Sequence, residues 1–568
     1  PHRLEQIAAI QARSYDLHPL RTPNYCSGCP HNTSTRLLQG QIAWGSPGCH
    51  SFATLMEQPH RHIEAMTQYG GEGLPWVGLS RFTDRPHMIQ NVGDGSLFHS
   101  SYLNIRFCVA AGVNITYKIL YNGSIANTGA QPPVGVKNVP DLTRLLELEG
   151  VSRIAVVTKS LDSYHGVQLA ANAHLFSRDQ YDAALDQLTR EQGVTVLIYD
   201  EMCANERRRR RKRGKLAPAQ KFVLINEAVC EGCGDCGTVS NCMSLQRVET
   251  EFGQKTYIHQ SSCNQDYLCL KGDCPSFVTV EAGGEAQLAK PSTPRIEAGS
   301  LPEPAAKVTS AEPYHVYIPG VGGTGVITLN ALLSYAALLD GKHVLSYDQT
   351  GAAQKWGPVL SSLIVADEPQ ALAANKVGLG KADLYLATDI VGAVTPINLD
   401  RCDPARTAAV VNTTVFPNGE MVRNIDFTIS SRPMQTSLRR FTKPEQTVFV
   451  EARALAEKLF GDYMMTNIVT LGAAYQSGLI PLTAESIEAA IRINGVQVEA
   501  NTQGFRYGRL FVHDPASLQQ LLEPPRPDAA QERERARSGL KGRQREAYER
   551  LSARASDLDE ESRRLLAI

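Results

Sequence analysis

No apolar run in this chain approaches the roughly 18 residues of a membrane-spanning helix, so no membrane partner is expected. Neither sign of charge dominates: 57 Lys and Arg stand against 58 Asp and Glu, a net charge of −1. That balance gives no overall attraction to nucleic acid or anionic lipid, and no nucleic-acid partner is expected. A spread disulfide framework is missing too, because seven of the 13 cysteines crowd into residues 230–274; this fits a reducing cytoplasm. The start, Pro1-His2-Arg3, lacks an initiator Met and an apolar signal core. The end, 563–568 (RRLLAI), stops inside what reads as an amphipathic helix. Both ends lead us to expect a piece of a longer polypeptide. No internal repeat is evident.

What is present is a multidomain α/β chain. At 568 residues, it has room for about two to four domains. Across 1–215, apolar runs at 87–92, 151–158 and 194–199 predict strands, and 114–121 alternates apolar and polar like a further strand. Helical patterns over 100–112 and 182–192 lie between them, which points to a parallel α/β sheet. The basic run 207–213, RRRRRKR, resembles a nuclear signal or nucleic-acid arm by itself. Its place between two modules makes it a charged connection or docking face instead. Residues 216–285 form the cysteine-rich module, and 286–312, rich in Pro, Ala, Ser and Glu, read as an interdomain linker. A second α/β domain runs over 313–524, followed by a charged, helix-prone tail over 525–568. Leu540, Tyr548 and Leu551 in that tail are spaced to share a helix face, as on a partner helix.

The cysteine-rich module opens with Cys230-x2-Cys233-x2-Cys236 and closes with Cys274-Pro275. Three thiolates so spaced, with a distant Cys-Pro, are the ligand set of an iron–sulfur cluster. A zinc ribbon, built on paired Cys-x2-Cys knuckles, is the alternative. Cys242, Cys263 and Cys269 are left as three, because Cys263-x5-Cys269 replaces a tight triple. A second cluster there would need a non-cysteine ligand or one iron fewer; otherwise these are structural thiols.

Gly93-Asp94-Gly95 ends a predicted strand, and Asn122 opens the loop after the next one. A carboxylate and an amide at adjoining strand ends suit Mg2+ holding a diphosphate. This is the arrangement of the thiamine diphosphate motif, although Gly-Asp-Gly also occurs in ordinary turns. Cys26 and Cys29 (CSGCPH), Cys49 (SPGC) and Cys203 come from separate loops that could meet at the carboxyl edge of one sheet. They are a ligand set, a reactive pair, or inert small hydrophobes. Cys108 reads as core, and Cys402 has no assigned role. The turn 320–325, GVGGTG, follows a strand as in dinucleotide-binding folds, with Asp348 at acidic spacing. By itself it would indicate an NAD-linked reductase.

Together CSGCPHNTST, the Gly-Asp-Gly with NGSIANTGAQP, and the ferredoxin-like cysteines resemble the 2-oxoacid:ferredoxin oxidoreductases, nearest to the fused bacterial indolepyruvate type. The likeness spans most of residues 20–520 in the same domain order. It implies a thiamine diphosphate-binding domain (1–215), a ferredoxin-like module (216–285) and a gamma-type domain (313–524). Cys26, Cys29, Cys49 and Cys203 would hold a proximal [4Fe–4S] cluster, giving two clusters in all, or three with the degenerate set. Asp94 and Asn122 would bind Mg2+ by side chain and Ser124 by its carbonyl. Gly93, Gly95, Asn127, Thr128, His31 and the loop of Gly71 and Glu72 would line the cofactor, Glu72 as a positioning residue. The gamma domain's Gly-rich turn carries no NAD in the family, and the loop 350–355 (TGAAQK) would face the active site. Tyr69 and Trp356 are candidate pocket walls.

The implied reaction is oxidative decarboxylation of a 2-oxo acid, an aryl pyruvate such as indolepyruvate favoured. Coenzyme A is the co-substrate and ferredoxin or a similar carrier the electron acceptor, and a dimer is expected. The cofactor-activating glutamate belongs to a pyrimidine-side domain that this chain lacks and would need in cis or trans. An electron-transfer module without its own catalysis, or a non-oxidative decarboxylase, are the rivals.

Overall fold

The computed structural model describes residues 2–17, 21–56, 61–281, 291, 293–351, 356–522, 534 and 537–554. Seven strands, β1 (Ala43–Gly45), β2 (Ala65–Met66), β3 (Met88–Gly93), β4 (Ile115–Tyr121), β5 (Arg153–Thr158), β6 (Ala173–Ser177) and β7 (Val194–Asp200), form one sheet ordered β2-β1-β3-β4-β7-β5-β6. Every pairing in it is parallel. Parallel sheets need cover on both faces. Helices Tyr102–Ala111 and Val139–Leu148 supply one cover, through Ile105, Cys108, Leu142 and Leu146. Helix Tyr181–Arg190 supplies the other, through Ala184, Leu185 and Leu188.

This two-sided cover corrects the alternating reading of 114–121. All of β4 is buried up to Tyr121, and Lys118 with it. The Lys118 ammonium donates to the Arg36 carbonyl at 3.0 Å and to the Tyr181 hydroxyl at 3.1 Å, and burial lowers its pKa to about 7. Strand β6 was not legible, because it is a half-exposed edge with little apolar periodicity. Cys108 is core, its thiol at 3.2 Å from the Tyr117 hydroxyl.

The cysteine-rich module is built from two antiparallel pairs: β8 (Lys221–Ile225) with β11 (Phe277–Glu281), and β9 (Leu245–Thr250) with β10 (Gly253–Ile258). A cysteine loop and a short helix follow β8 in one half (Asp235–Ser240) and β10 in the other (Leu268–Lys271). The module is therefore an internal repeat, which the residue identities alone had hidden.

In the second α/β domain, β12 (Tyr314–Val321), β13 (His343–Thr350), β14 (Pro358–Ala366), β15 (Leu384–Ala387), β16 (Ala408–Asn412) and β17 (Thr447–Val450) run in the order β13-β14-β12-β15-β16-β17. Strand β14 is antiparallel and separates β12 from β13. The strand–turn–helix at Gly320 thus does not lead into an adjacent parallel strand, as a dinucleotide fold requires. Asp348 instead accepts from Asn330 (2.9 Å) and Ser361 (2.5 Å). Both findings remove the geometric basis for the NAD reading.

Domain limits differ from the linear reading. Residues 2–17 pack on the second α/β domain: Arg3 reaches the Leu379 carbonyl at 2.7 Å, Arg13 the Cys402 carbonyl at 2.9 Å, and Tyr15 stacks on Phe441. Cys402 is buried in that domain's core. The described part of the expected linker is a strap. Gln503 and Arg506 bind Ile296, and Arg509 and Gln476 bind the Pro302 carbonyl. The chain separates into two compact units, 1–509 and 510–568. The second contains helices Pro515–Leu522 and Arg543–Arg554, with Leu551 exposed. Leu540 falls outside the latter helix, and 523–533, 535–536 and 555–568 lie outside the described residues.

The cysteine-rich module is seated on the second α/β domain at two glycines, Gly234 against Ile425 and Gly237 against Val422. A Cβ on Gly237 would stand 2.4 Å from the Val422 carbonyl oxygen. Gly237→Ala is expected to lower stability by about 1–3 kcal/mol through overpacking, read as a lower denaturant midpoint with an unchanged slope.

Candidate functional site

The carboxyl ends of the parallel strands build the site. Strand β3 delivers Asp94, β4 delivers Asn122, β1 leads into the loop of Cys49, and β7 into Cys203. Ligands in open α/β sheets bind at this edge. The Asp94 carboxylate is 2% exposed and organises the turn. Its Oδ2 accepts the Asn122 N–H at 3.0 Å and the Ser124 N–H at 3.1 Å, and its Oδ1 accepts the Gly95 N–H at 3.0 Å. Burial pushes its pKa up to about 6, against the pull of these N–H groups. Asn122 Oδ1 accepts the Ser124 hydroxyl at 2.5 Å.

These residues face a cleft of about 210 Å³, open to solvent and lined also by Gly93, Gly95, Ser96, His31, His50, Tyr69 and Asn127. Gly71, Glu72 and Thr128 do not line this cleft. The Glu72 carboxylate is fully buried and accepts from Ser96 and, at 2.6 Å, from Ser101. It positions Ser96, the residue after the Gly-Asp-Gly turn. Thr128 closes its own turn onto Gln131 at 2.8 Å. Tyr69 is a half-exposed wall of the cleft. Trp356 is not: it is 4% exposed and packs with Met243, Val321, Phe416 and Tyr463. Residues 352–355 of the loop expected to face the site lie outside the described residues.

A second cavity shares the cleft's wall. Cys26, Cys29, Cys49 and Cys203 all line it, and it has His31, Cys49, Leu120, Asn122 and Ala126 in common with the cleft. Among the described residues no three His, Cys, Asp or Glu side chains could hold a single metal ion. The four thiols surround this cavity instead. Burial, and the negative charge of the neighbouring thiolates, push the Cys29 and Cys49 thiols well up. Four thiolates in so dry a place require bound cations to lose their protons. Burial also lowers His31 to about 4 and His50 to about 3, so both are neutral at pH 7. The Ser46 N–H donates to His50 Nε2 at 3.3 Å.

In the repeat module, pairing of Ile225 with Phe277 brings Cys274 beside the loop of Cys230, Cys233 and Cys236. Cys242, Cys263 and Cys269 line a further cavity together with Asp266 and Gly28. Burial raises Cys236 and Cys242 to about 11. Asp266 escaped the residue reading; the signal for it was its place midway between Cys263 and Cys269.

The basic run is the helix Ala204–Lys212, which begins beside Cys203. Arg208 reaches the Ser261 carbonyl, Arg209 the Gly129 carbonyl at 2.9 Å and Arg211 the Gln265 side chain at 2.9 Å, and Lys212 pairs with Asp462. It is a docking face joining all three modules. Arg208 and Arg211 also set positive charge near Cys263.

Known proteins resemble parts of this chain. Residues 315–511 match the family described as pyruvate ferredoxin/flavodoxin oxidoreductase. Indolepyruvate oxidoreductase subunit IorB of Pyrococcus horikoshii is 28% identical over 200 residues, 34% of this chain and 94% of that protein. Subunit IorA of the same organism is 22% identical over 265 residues, 43% of this chain and 39% of that protein. A keto/oxoacid ferredoxin oxidoreductase gamma subunit from Geobacter sulfurreducens covers 35% of this chain and 98% of its own at 20% identity, with a TM-score of 0.25.

Proposed function

We propose that this chain, which carries a pyruvate ferredoxin/flavodoxin oxidoreductase domain at residues 315–511, works in a 2-oxoacid:ferredoxin oxidoreductase. The reaction converts a 2-oxo acid, coenzyme A and two oxidised ferredoxins into acyl-CoA, CO2, a proton and two reduced ferredoxins. An aryl pyruvate such as indolepyruvate is the favoured substrate, by the relatives' names. The observation that carries the reading is the shared wall. The thiol-lined cavity and the Asp94 cleft have Cys49, His31 and Asn122 in common. A group held in the cleft would thus share a wall with whatever the four thiols hold.

Thiamine diphosphate in the cleft would supply the electron sink that lets a 2-oxo acid lose CO2. The chain's part is placement. Asp94 and Asn122 would hold Mg2+ by side chain and Ser124 by its carbonyl, with the diphosphate oxygens in the metal's remaining positions. Neutral His31 and His50, which line the cleft, would border the cofactor without adding charge. Cys26, Cys29, Cys49 and Cys203 would hold the proximal [4Fe–4S] cluster. Electrons would leave through the module of Cys230, Cys233, Cys236 and Cys274, which the Cys26–Cys29 loop touches through the bond from Asn264 to the Ser27 carbonyl at 2.8 Å. Asp94 is the sole carboxylate lining the cleft among the described residues. This supports the reading that the activating glutamate comes from a pyrimidine-side domain in cis or trans, so that the chain alone binds cofactors without turning over.

The test is the iron, sulfide and thiamine diphosphate content of anaerobically purified chain. About eight irons, or about twelve with a third cluster, are expected with one thiamine diphosphate. Cys29→Ser is expected to lose about four irons and leave the rest. Zinc without sulfide, or no cofactor binding with Mg2+ and a pyrimidine-side partner supplied, would sink the proposal.

A further inference from the structure

We infer that Asp266 is the fourth, exchangeable ligand of a second iron–sulfur cluster in the repeat module, held otherwise by Cys242, Cys263 and Cys269. The inference rests on the iron–sulfur reading above and concerns one site within it.

The register of the module carries the argument. Ile225 pairs with Phe277 at the end of one strand pair, and Ile258 with Leu245 at the end of the other. Cys230 lies five residues past Ile225, and Cys263 five past Ile258; Cys274 lies three before Phe277, and Cys242 three before Leu245. Stepping forward in threes from these anchors gives Cys230, Cys233 and Cys236 in one half, and Cys263, Asp266 and Cys269 in the other. Asp266 therefore occupies the place of Cys233.

The backbone repeats as well. Gly232 and Gly234 flank Cys233 at φ +70 and +81; Gln265 and Tyr267 flank Asp266 at φ +52 and +69. Left-handed backbone is unfavourable for such residues, yet the chain keeps it on both sides of Asp266. The short helices begin two residues after Cys233 and after Asp266.

The donor set suits a cluster. Cys242, Cys263, Asp266 and Cys269 line one cavity, and Asp266 is 5% exposed. Its Oδ1 is 2.7 Å from Arg178 Nη1 and 3.5 Å from Lys159 Nζ, while its Oδ2 accepts the Leu268 N–H at 3.3 Å. A carboxylate has lone pairs beyond these contacts. Gly28 is pressed on this residue: a Cβ there would stand 2.8 Å from the Asp266 Cβ. The site thus adjoins the Cys26–Cys29 loop on one side and, through Cys269, Cys236 on the other. Electrons crossing the module would pass it.

Thiolates are the preferred ligands of such clusters, and a carboxylate is a harder, weaker donor to this iron. The iron at Asp266 is therefore the one that leaves. A [4Fe–4S]2+ core that gives one electron to ferricyanide and releases that iron as Fe2+ becomes [3Fe–4S]+, with ferrocyanide as the other product. The freed carboxylate keeps its pair with Arg178 and Lys159.

The experiment uses the full chain, loaded anaerobically, with EPR before and after ferricyanide. About one three-iron signal per chain is expected after oxidation, and Asp266→Cys is expected to cut it at least about tenfold by restoring a fourth thiolate. Asp266→Asn, which removes the same carboxylate without supplying a thiolate, is expected to keep about one three-iron signal per chain after ferricyanide. A residue that only anchored Arg178 and Lys159 would make the two variants behave alike, and that result would overturn the inference. In the unsubstituted chain, added 2-mercaptoethanol is expected to displace the carboxylate and shift the reduced-state spectrum of one cluster. This readout stands even if a variant fails to load, and no shift overturns the inference. Four-iron signals from the other two sites, with no three-iron signal after ferricyanide, sink this inference alone; no clusters at all sinks the proposed function with it.

Discussion

An Asp94→Ala chain is expected to bind Mg2+–thiamine diphosphate at least about a hundredfold more weakly than the parent, since even residues behind a metal's ligands cost 10–100-fold when removed. Two effects add. The variant loses the carboxylate that would face the metal. It also strands the N–H groups of Asn122, Ser124 and Gly95, all now accepted by Asp94. Each buried N–H left without an acceptor costs about 1–3 kcal/mol. Asp94→Asn, which keeps an acceptor oxygen, separates the two: it is expected to hold the turn and still lose metal. Calorimetric titration with Mg2+ and thiamine diphosphate reads the affinity, and iron content serves as the control for folding. Undiminished binding by both variants would remove Asp94 from the site.

The same residue sets a pH dependence. Burial raises the Asp94 carboxyl from its ordinary 3.8 to about 6. The folded apoprotein therefore binds this proton more tightly than the unfolded chain does. The corresponding stability is present in full below about pH 4 and is lost as pH rises through about 6, some 3 kcal/mol in all. The metal competes for the ionised form, so its apparent affinity is expected to fall about tenfold per unit below pH 6. Asp94→Asn should flatten that profile.

Arg21→Ala is expected to destabilise the 1–509 unit by about 3–5 kcal/mol, the cost of breaking a buried ion pair. Against total stabilities of about 5–15 kcal/mol, that is a large share. Both side chains are almost wholly buried (2% and 0% exposed). Arg21 Nε meets Asp389 at 3.0 Å, Nη2 meets its other oxygen, and Nη1 binds the carbonyls of Phe416 (2.9 Å) and Pro417 (3.1 Å). The pair ties the segment leading into Cys26 to the second α/β domain, so accelerated iron loss is expected alongside a lower unfolding midpoint. Arg21→Met combined with Asp389→Leu should recover part of the loss, because no charge is then left buried alone. A single variant as stable as the parent would show that the pair does not hold these modules together.

Much of the molecule was written in local spacing. Apolar runs of strand length at β3, β5 and β7 are buried wherever they fall, so their positions needed no partner to be read. The Gly-Asp-Gly turn and the Cys230 triple stood out because residue type and separation alone mark them as candidate ligands. What the linear reading lost were features set by contacts between distant segments. Lys118 looked like an outward polar position, yet Arg36 and Tyr181 receive it inside. The strap of Ile296 and Pro302 looked like a free linker, since nothing local marks side chains of Gln503 and Arg509 arriving from two hundred residues away. Residues 2–17 were assigned to the neighbouring domain for the same reason.

The sequence by itself thus determined the set of modules, the edge of the sheet where a cofactor would sit, and which thiols are available, because each of these follows from residue type and short-range periodicity. Tertiary structure alone decided which thiols share a cavity, that this cavity has a common wall with the Asp94 cleft, and that β14 intervenes where a dinucleotide fold would need a parallel neighbour. It also decided that Asp266 shares a cavity with Cys242, Cys263 and Cys269. Strand register is a long-range property: pairing Ile258 with Leu245 places Cys242 beside Cys263 across twenty residues of chain, and no pattern within either segment records it.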